Sequence, residues 1–135
     1  MSKTPDLPGD LLTLAREDLV AAEALHNDER VSDSPVGFHA QQAVEKALKA
    51  VIASRGLDFP FTHDLGLLMQ LCEDAGVELP ADLTEADRLT PYAAAIRYGL
   101  GNPTAVGAEQ AIRWAALSIK WANAEIEARE SDRDV

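Results

Sequence analysis

The sequence predicts an all-α domain: an up-and-down four-helix bundle with one additional short helix. Hydrophobic residues make up 47% of the chain but aromatics only 5%, a balance rich in alanine that suits close-packed helices better than a sheet. Apolar residues recur at i, i+3, i+4 and i+7 through several long segments, the spacing of a buried helix face. Glycines and prolines fall mostly between those segments, where helix punctuation belongs. At 135 residues the chain suits one domain, expected over residues 7–130, with disordered ends at 1–6 and 131–135.

Each element has its own signal. The first helix is expected after Pro8-Gly9, with Asp10 as N-cap, and runs to about Leu25 on a stripe of Leu12, Ala15, Leu19 and Ala22. The polar turn 27–34 follows. Ser34 and Pro35 then read as a cap and a first-turn proline, opening a second helix that stops at Gly56, a left-handed C′ residue. A short third helix is expected over 64–75, with Leu65, Leu68, Met69 and Cys72 buried and Gly76 closing it. The fourth segment is divided. Asp82 and Glu85 have capping-box spacing and begin a short turn, and Thr90-Pro91 then restarts a helix that ends at Tyr98-Gly99. The fifth helix, about 105–130, buries Ala108, Ala111, Ile112, Ala115, Ile119, Ala122 and Ile126. Trp114, Leu117 and Trp121 form a separate row on it. That row makes the apolar surface wider than one core contact needs, so it is expected to be an interface, with a homodimer or a hetero-complex covering it.

Composition narrows the function. Twelve basic against 23 acidic residues give a formal net charge of −11, a field that repels RNA and DNA and favours a neutral or cationic protein partner. No apolar run approaches the roughly 20 residues of a membrane span, and the start lacks the pattern of a signal peptide. A single cysteine, Cys72, forms no internal disulfide and fits a reducing cytoplasm. His26, His39, His63 and Cys72 lack a compact ligand spacing, so neither a metal nor a cofactor is expected. Gly-rich phosphate loops, nucleophile elbows and paired catalytic carboxylates are missing as well. No residue is assigned a catalytic role.

The second helix is more specific. Ala40, Ala43, Val44, Ala47, Leu48, Val51 and Ile52 form its apolar face, while His39, Gln42, Lys46 and Lys49 form a polar row beside it. Residues 38–49 (Phe-His-Ala-Gln-Gln-Ala-Val-Glu-Lys-Ala-Leu-Lys), 59–65 (Phe-Pro-Phe-Thr-His-Asp-Leu) and 89–98 (Leu-Thr-Pro-Tyr-Ala-Ala-Ala-Ile-Arg-Tyr) together resemble the HEPN family of small helical domains. Three blocks in the right order over most of the chain make the match specific.

The resemblance implies a fold and a site. HEPN ribonucleases carry an Arg at the end of this fourth helix and a His after four to six intervening residues. Arg would stabilise the phosphorane and His would move protons, without metal. Here the matching positions after Arg97 are Asn102, Pro103 and Thr104, and no histidine follows Arg97. The Leu-Thr-Pro-Tyr…Arg-Tyr phrase looks like the HEPN subclass encoded beside a minimal nucleotidyltransferase, with Gly99 where proline is usual. The resemblance therefore implies a non-catalytic or nucleotide-binding companion of such an enzyme, in a toxin–antitoxin-like two-component module. Arg97, Tyr98, His39, Gln42 and Lys46 are the candidate ligand-binding residues, provided the second and fourth helices are neighbours. The alternatives are a metal-independent endoribonuclease toxin and a stand-alone structural dimer. For Arg97 the purely structural alternative is a cation complementing the helix dipole. For His63, between Thr62 and Asp64, it is packing of the turn.

Overall fold

The computed structural model describes residues 6–97 and 106–133. Helices α1 (Leu7–His26), α2 (Asp33–Ser54), α3 (Leu65–Asp74), α4 (Thr90–Arg97) and α5 (Ala108–Arg133) account for most of them, and no strand occurs among the described residues. Two 3₁₀ turns, Ala81–Leu83 and Ala86–Leu89, lie between α3 and α4.

The first two helices start earlier than expected, α1 by a full turn and α2 by about half of one. Asp6, not Asp10, caps α1, its carboxylate accepting the Gly9 N–H at 3.0 Å. The helix therefore starts one turn early, and Pro8 sits in the first turn, where its missing N–H leaves no bond unmade. Likewise α2 begins at Asp33 behind Ser32, so Ser34 and Pro35 are first-turn residues. Asp64 caps α3 through Leu67 N–H at 3.2 Å. Gly56 and Gly76 have φ of +74° and +81°, the left-handed conformation that ends α2 and α3 and strains any residue with a Cβ. The short turn expected at Asp82 is present as the two 3₁₀ turns, although no side-chain cap bond forms there. Residues 131–133, expected to be a disordered end, continue α5.

α2 is the axis of the fold. It packs against α1, α3, α4 and α5, and 12 of its residues are buried, from Val36 to Ile52. α1 returns antiparallel to α2, which the short 27–32 connection requires. Ala108 and Ile112 at the start of α5 join Val36 and Ala22, whereas Arg55 meets Glu125 at 3.3 Å near the other end of both helices. α5 thus runs parallel to α2. On the opposite side α4 lies over the beginning of α2, where Tyr92 packs on Gly37 so closely that a Cβ there would strike the ring. The Tyr92 hydroxyl donates to Val106 O at 3.3 Å.

The tryptophan row belongs to the core rather than to a free surface. Trp114 and Trp121 are 5% and 7% exposed, and Leu117 packs against the same cluster. Their indole N–H groups donate to Asp82 O and Glu78 O, both at 3.1 Å. The expectation of an exposed apolar row is corrected here: the segment around the 3₁₀ turns covers the indoles and satisfies both donors. A 3.6-residue period shows the width of an apolar face, but not which irregular segment will cover it.

Candidate functional site

The polar row of α2 is not an open line of ligand donors. His39 and Lys46 both bind one carboxylate, Asp18 of α1: His39 Nδ1 stands 3.0 Å from Oδ1, and Lys46 Nζ pairs with Oδ2. Asp18 is 9% exposed. It sits on the buried stripe of α1 between Ala15 and Ala22, where an unpaired carboxylate would be costly. Two cationic or neutral donors from α2 make the position tolerable.

A second cluster repeats the arrangement on the other flank of α2. Glu45, 4% exposed, accepts from Gln41 Nε2 at 3.0 Å and from Lys49 Nζ at 2.9 Å. His63 Nδ1 lies 2.8 Å from its Oε1. Gln41 also donates to His63 O at 3.3 Å, so ring and backbone of that residue are both fixed to α2. Gln42 donates to Gln41 Oε1 at 2.6 Å and extends the network to the strip. Lys49 lies 5.4 Å from the Phe59 ring centroid, a cation–π contact that further confines its ammonium group. Burial tends to raise the Glu45 pKa, but the donors Gln41, His63 and Lys49 outweigh it and hold the carboxyl below the ordinary glutamate value.

The two clusters give one strip on α2, bordered by α1 on one side and by the 59–64 loop on the other. Each has a buried carboxylate beneath, a lysine beside it and an imidazole fixed through Nδ1. Nε2 of each ring is then the atom left to meet a ligand. Two lysines stand against two carboxylates in the strip. The chemistry available is oriented hydrogen bonding and proton exchange at two Nε2 atoms. Among the described residues no group of three or more His, Cys, Asp or Glu side chains could hold a metal ion.

His39, Gln42 and Lys46, predicted from sequence, do share this strip, and α4 does neighbour α2. The Arg97 backbone closes α4, but its side chain and the whole of Tyr98 lie outside the described residues. Reading the sequence missed Asp18, Gln41, Glu45 and the site role of His63. A signal existed for two of them. Asp18 is an acid three and four residues from Ala15 and Ala22 on an apolar stripe, and Glu45 stands four residues from both Gln41 and Lys49.

The described residues thus form an all-helical bundle whose central helix, α2, shares one buried carboxylate cluster with α1 and another with the 59–64 loop. The HEPN domain profile matches residues 9–126, so the chain belongs to the HEPN family. It is also similar to TT1696 from Thermus thermophilus, known as a crystal structure, with 30% sequence identity and a TM-score of 0.65. That similarity covers 93% of this chain and 99% of TT1696. No curated protein matches the chain. No helix among the described residues is long and apolar enough to cross a membrane.

Proposed function

We propose that this HEPN chain is the non-catalytic member of a two-component pair, a cytoplasmic companion of a minimal nucleotidyltransferase. Its α2 strip would receive a nucleotide phosphate or a partner carboxylate, together with Arg97, which closes α4, and Tyr98, the next residue in sequence. One observation carries the reading. The histidines of the strip, His39 and His63, are each tied by Nδ1 to a buried carboxylate, while the position after Arg97 that a HEPN nuclease fills with histidine offers only Asn102, Pro103 and Thr104. Oriented donors are present, and the acid/base of the nuclease motif is missing. A net charge of −11 also favours a protein or small anion over an RNA strand. Because Trp114 and Trp121 are covered within the chain, the reading places no dimer contact on that row.

The endoribonuclease alternative has one observation in its favour: a carboxylate that orients a half-exposed imidazole is also how a general base is built. Two measurements on purified protein separate the readings. Copurification of a minimal nucleotidyltransferase from the native host, and nucleotide binding by calorimetry that Arg97→Ala weakens by roughly 1–3 kcal/mol, support the companion. RNA cleavage that is lost in Arg97→Ala, His39→Ala or His63→Ala would replace it with the nuclease.

A further inference from the structure

The stretch 57–67 leaves more apolar surface in water than its fold requires. Leu57, Phe61 and Leu67 are 49%, 103% and 42% exposed, three of the six exposed large hydrophobics among the described residues. Phe61 is wholly outside the core. Single exposed apolar residues are ordinary, but three within one short stretch of chain are a concentration of the kind that accompanies contact surfaces.

The stretch is held in place. Thr62 Oγ1 accepts from Asp64 N at 3.1 Å and Asp64 accepts from Leu67 N at 3.2 Å, a tight turn between Phe61 and Leu67. His63 is fixed to Glu45, and Leu65 N donates to Thr90 Oγ1 at 3.1 Å. Phe61 is thus presented between this bonded turn and Phe59, which packs against the core, so little ordering remains to be done on binding. Large aromatic side chains in that position are the usual energetic anchors of interfaces.

Charge selects the occupant. Asp58 and Asp64, in the same stretch of chain, are exposed, and the whole chain carries −11. A second copy meeting this patch through a two-fold axis would set like charges against each other. We infer that residues 57–67 are the docking rim for a protein partner that offers an apolar hollow bordered by Lys or Arg, Phe61 being the side chain inserted. The inference rests on the companion reading and locates its contact surface.

The full chain is mixed with a minimal nucleotidyltransferase from the same host, and affinity is measured for wild type, Phe61→Ala, Asp58→Lys and, as a control on the outer face of α5, Lys120→Ala. Phe61→Ala is expected to weaken the complex at least tenfold, and Asp58→Lys to weaken it and flatten its salt dependence. Lys120→Ala should leave it unchanged. All variants should melt with the wild type, because each replaced side chain is exposed. A photo-crosslinker at position 61 should reach the partner. If the complex forms but Phe61→Ala binds like wild type, or crosslinks arise from position 120 and not from 61, the docking rim is wrong while the companion reading stands. If wild type forms no complex, the companion reading falls and takes the occupant with it.

Discussion

Glu45 and His63 are joined at 2.8 Å, ring Nδ1 to Oε1, although eighteen residues separate them along the chain. The glutamate is buried and the imidazole half-exposed. Through this bond the central helix fixes both the ring it presents to solvent and the turn that carries Phe61. Structure and site therefore share one carboxylate.

Replacing that carboxylate should be expensive. Glu45→Gln leaves Lys49, whose side chain is only 12% exposed, without a counter-charge, and we expect a loss of about 2–4 kcal/mol in urea unfolding. The double variant Glu45→Gln/Lys49→Met should recover part of the loss, since no unpaired charge then stays buried. A double variant no better than the single one would show that packing, not charge, sets the cost.

Stability should also fall in acid for the same reason. The folded carboxyl of Glu45 is held below the ordinary glutamate value near 4.5, which it regains on unfolding. The unfolded state then binds the proton more readily, so the stabilising contribution is complete above that ordinary value. It is lost as pH drops through the lowered folded one. Urea midpoints measured from pH 7 to pH 3 should decline less steeply below pH 5 in Glu45→Gln than in wild type. Parallel declines would remove Glu45 from the account.

Gly37→Ala should destabilise although it improves helix propensity by roughly 1 kcal/mol. The new methyl would meet the Tyr92 ring, and moving a ring of which 1% is exposed disturbs the α2–α4 contact and its bond to Val106. Overpacking of this kind costs about 1–3 kcal/mol, so a net loss near 1 kcal/mol is expected. A variant that unfolds at higher urea than wild type would show that the ring has room to move.

Cys72 should be inert in the folded protein. Burial, and then the neighbouring Glu73 charge, push its thiol up to about 12, and Sγ lies 3.9 Å from Leu48 O in the core. Thiolate is the reactive form, so alkylation by iodoacetamide at pH 8 should proceed only in denaturant. Rapid labelling of native protein would mean that α3 opens locally from α2.

Sequence alone determined the local geometry. Asp64, Gly56 and Gly76 announced helix ends because capping and left-handed turns depend on a few adjacent residues. The apolar stripes of α1, α2 and α5 followed from a period set by helix geometry, and the three HEPN blocks stood in the linear text. Boundaries slipped at Asp10 and Ser34 because an earlier residue offered an equally good start. Tertiary structure decided the rest, since it joins groups that the chain does not place together. Only packing of α1 on α2 brings Asp18 to His39 and Lys46, and only the return of the 59–64 loop brings His63 to Glu45. Only the segment around the 3₁₀ turns converts Trp114 and Trp121 from an apparent surface into core. Buried polar groups must find partners wherever the fold supplies them, and such pairings across helices leave almost no periodic trace in a sequence.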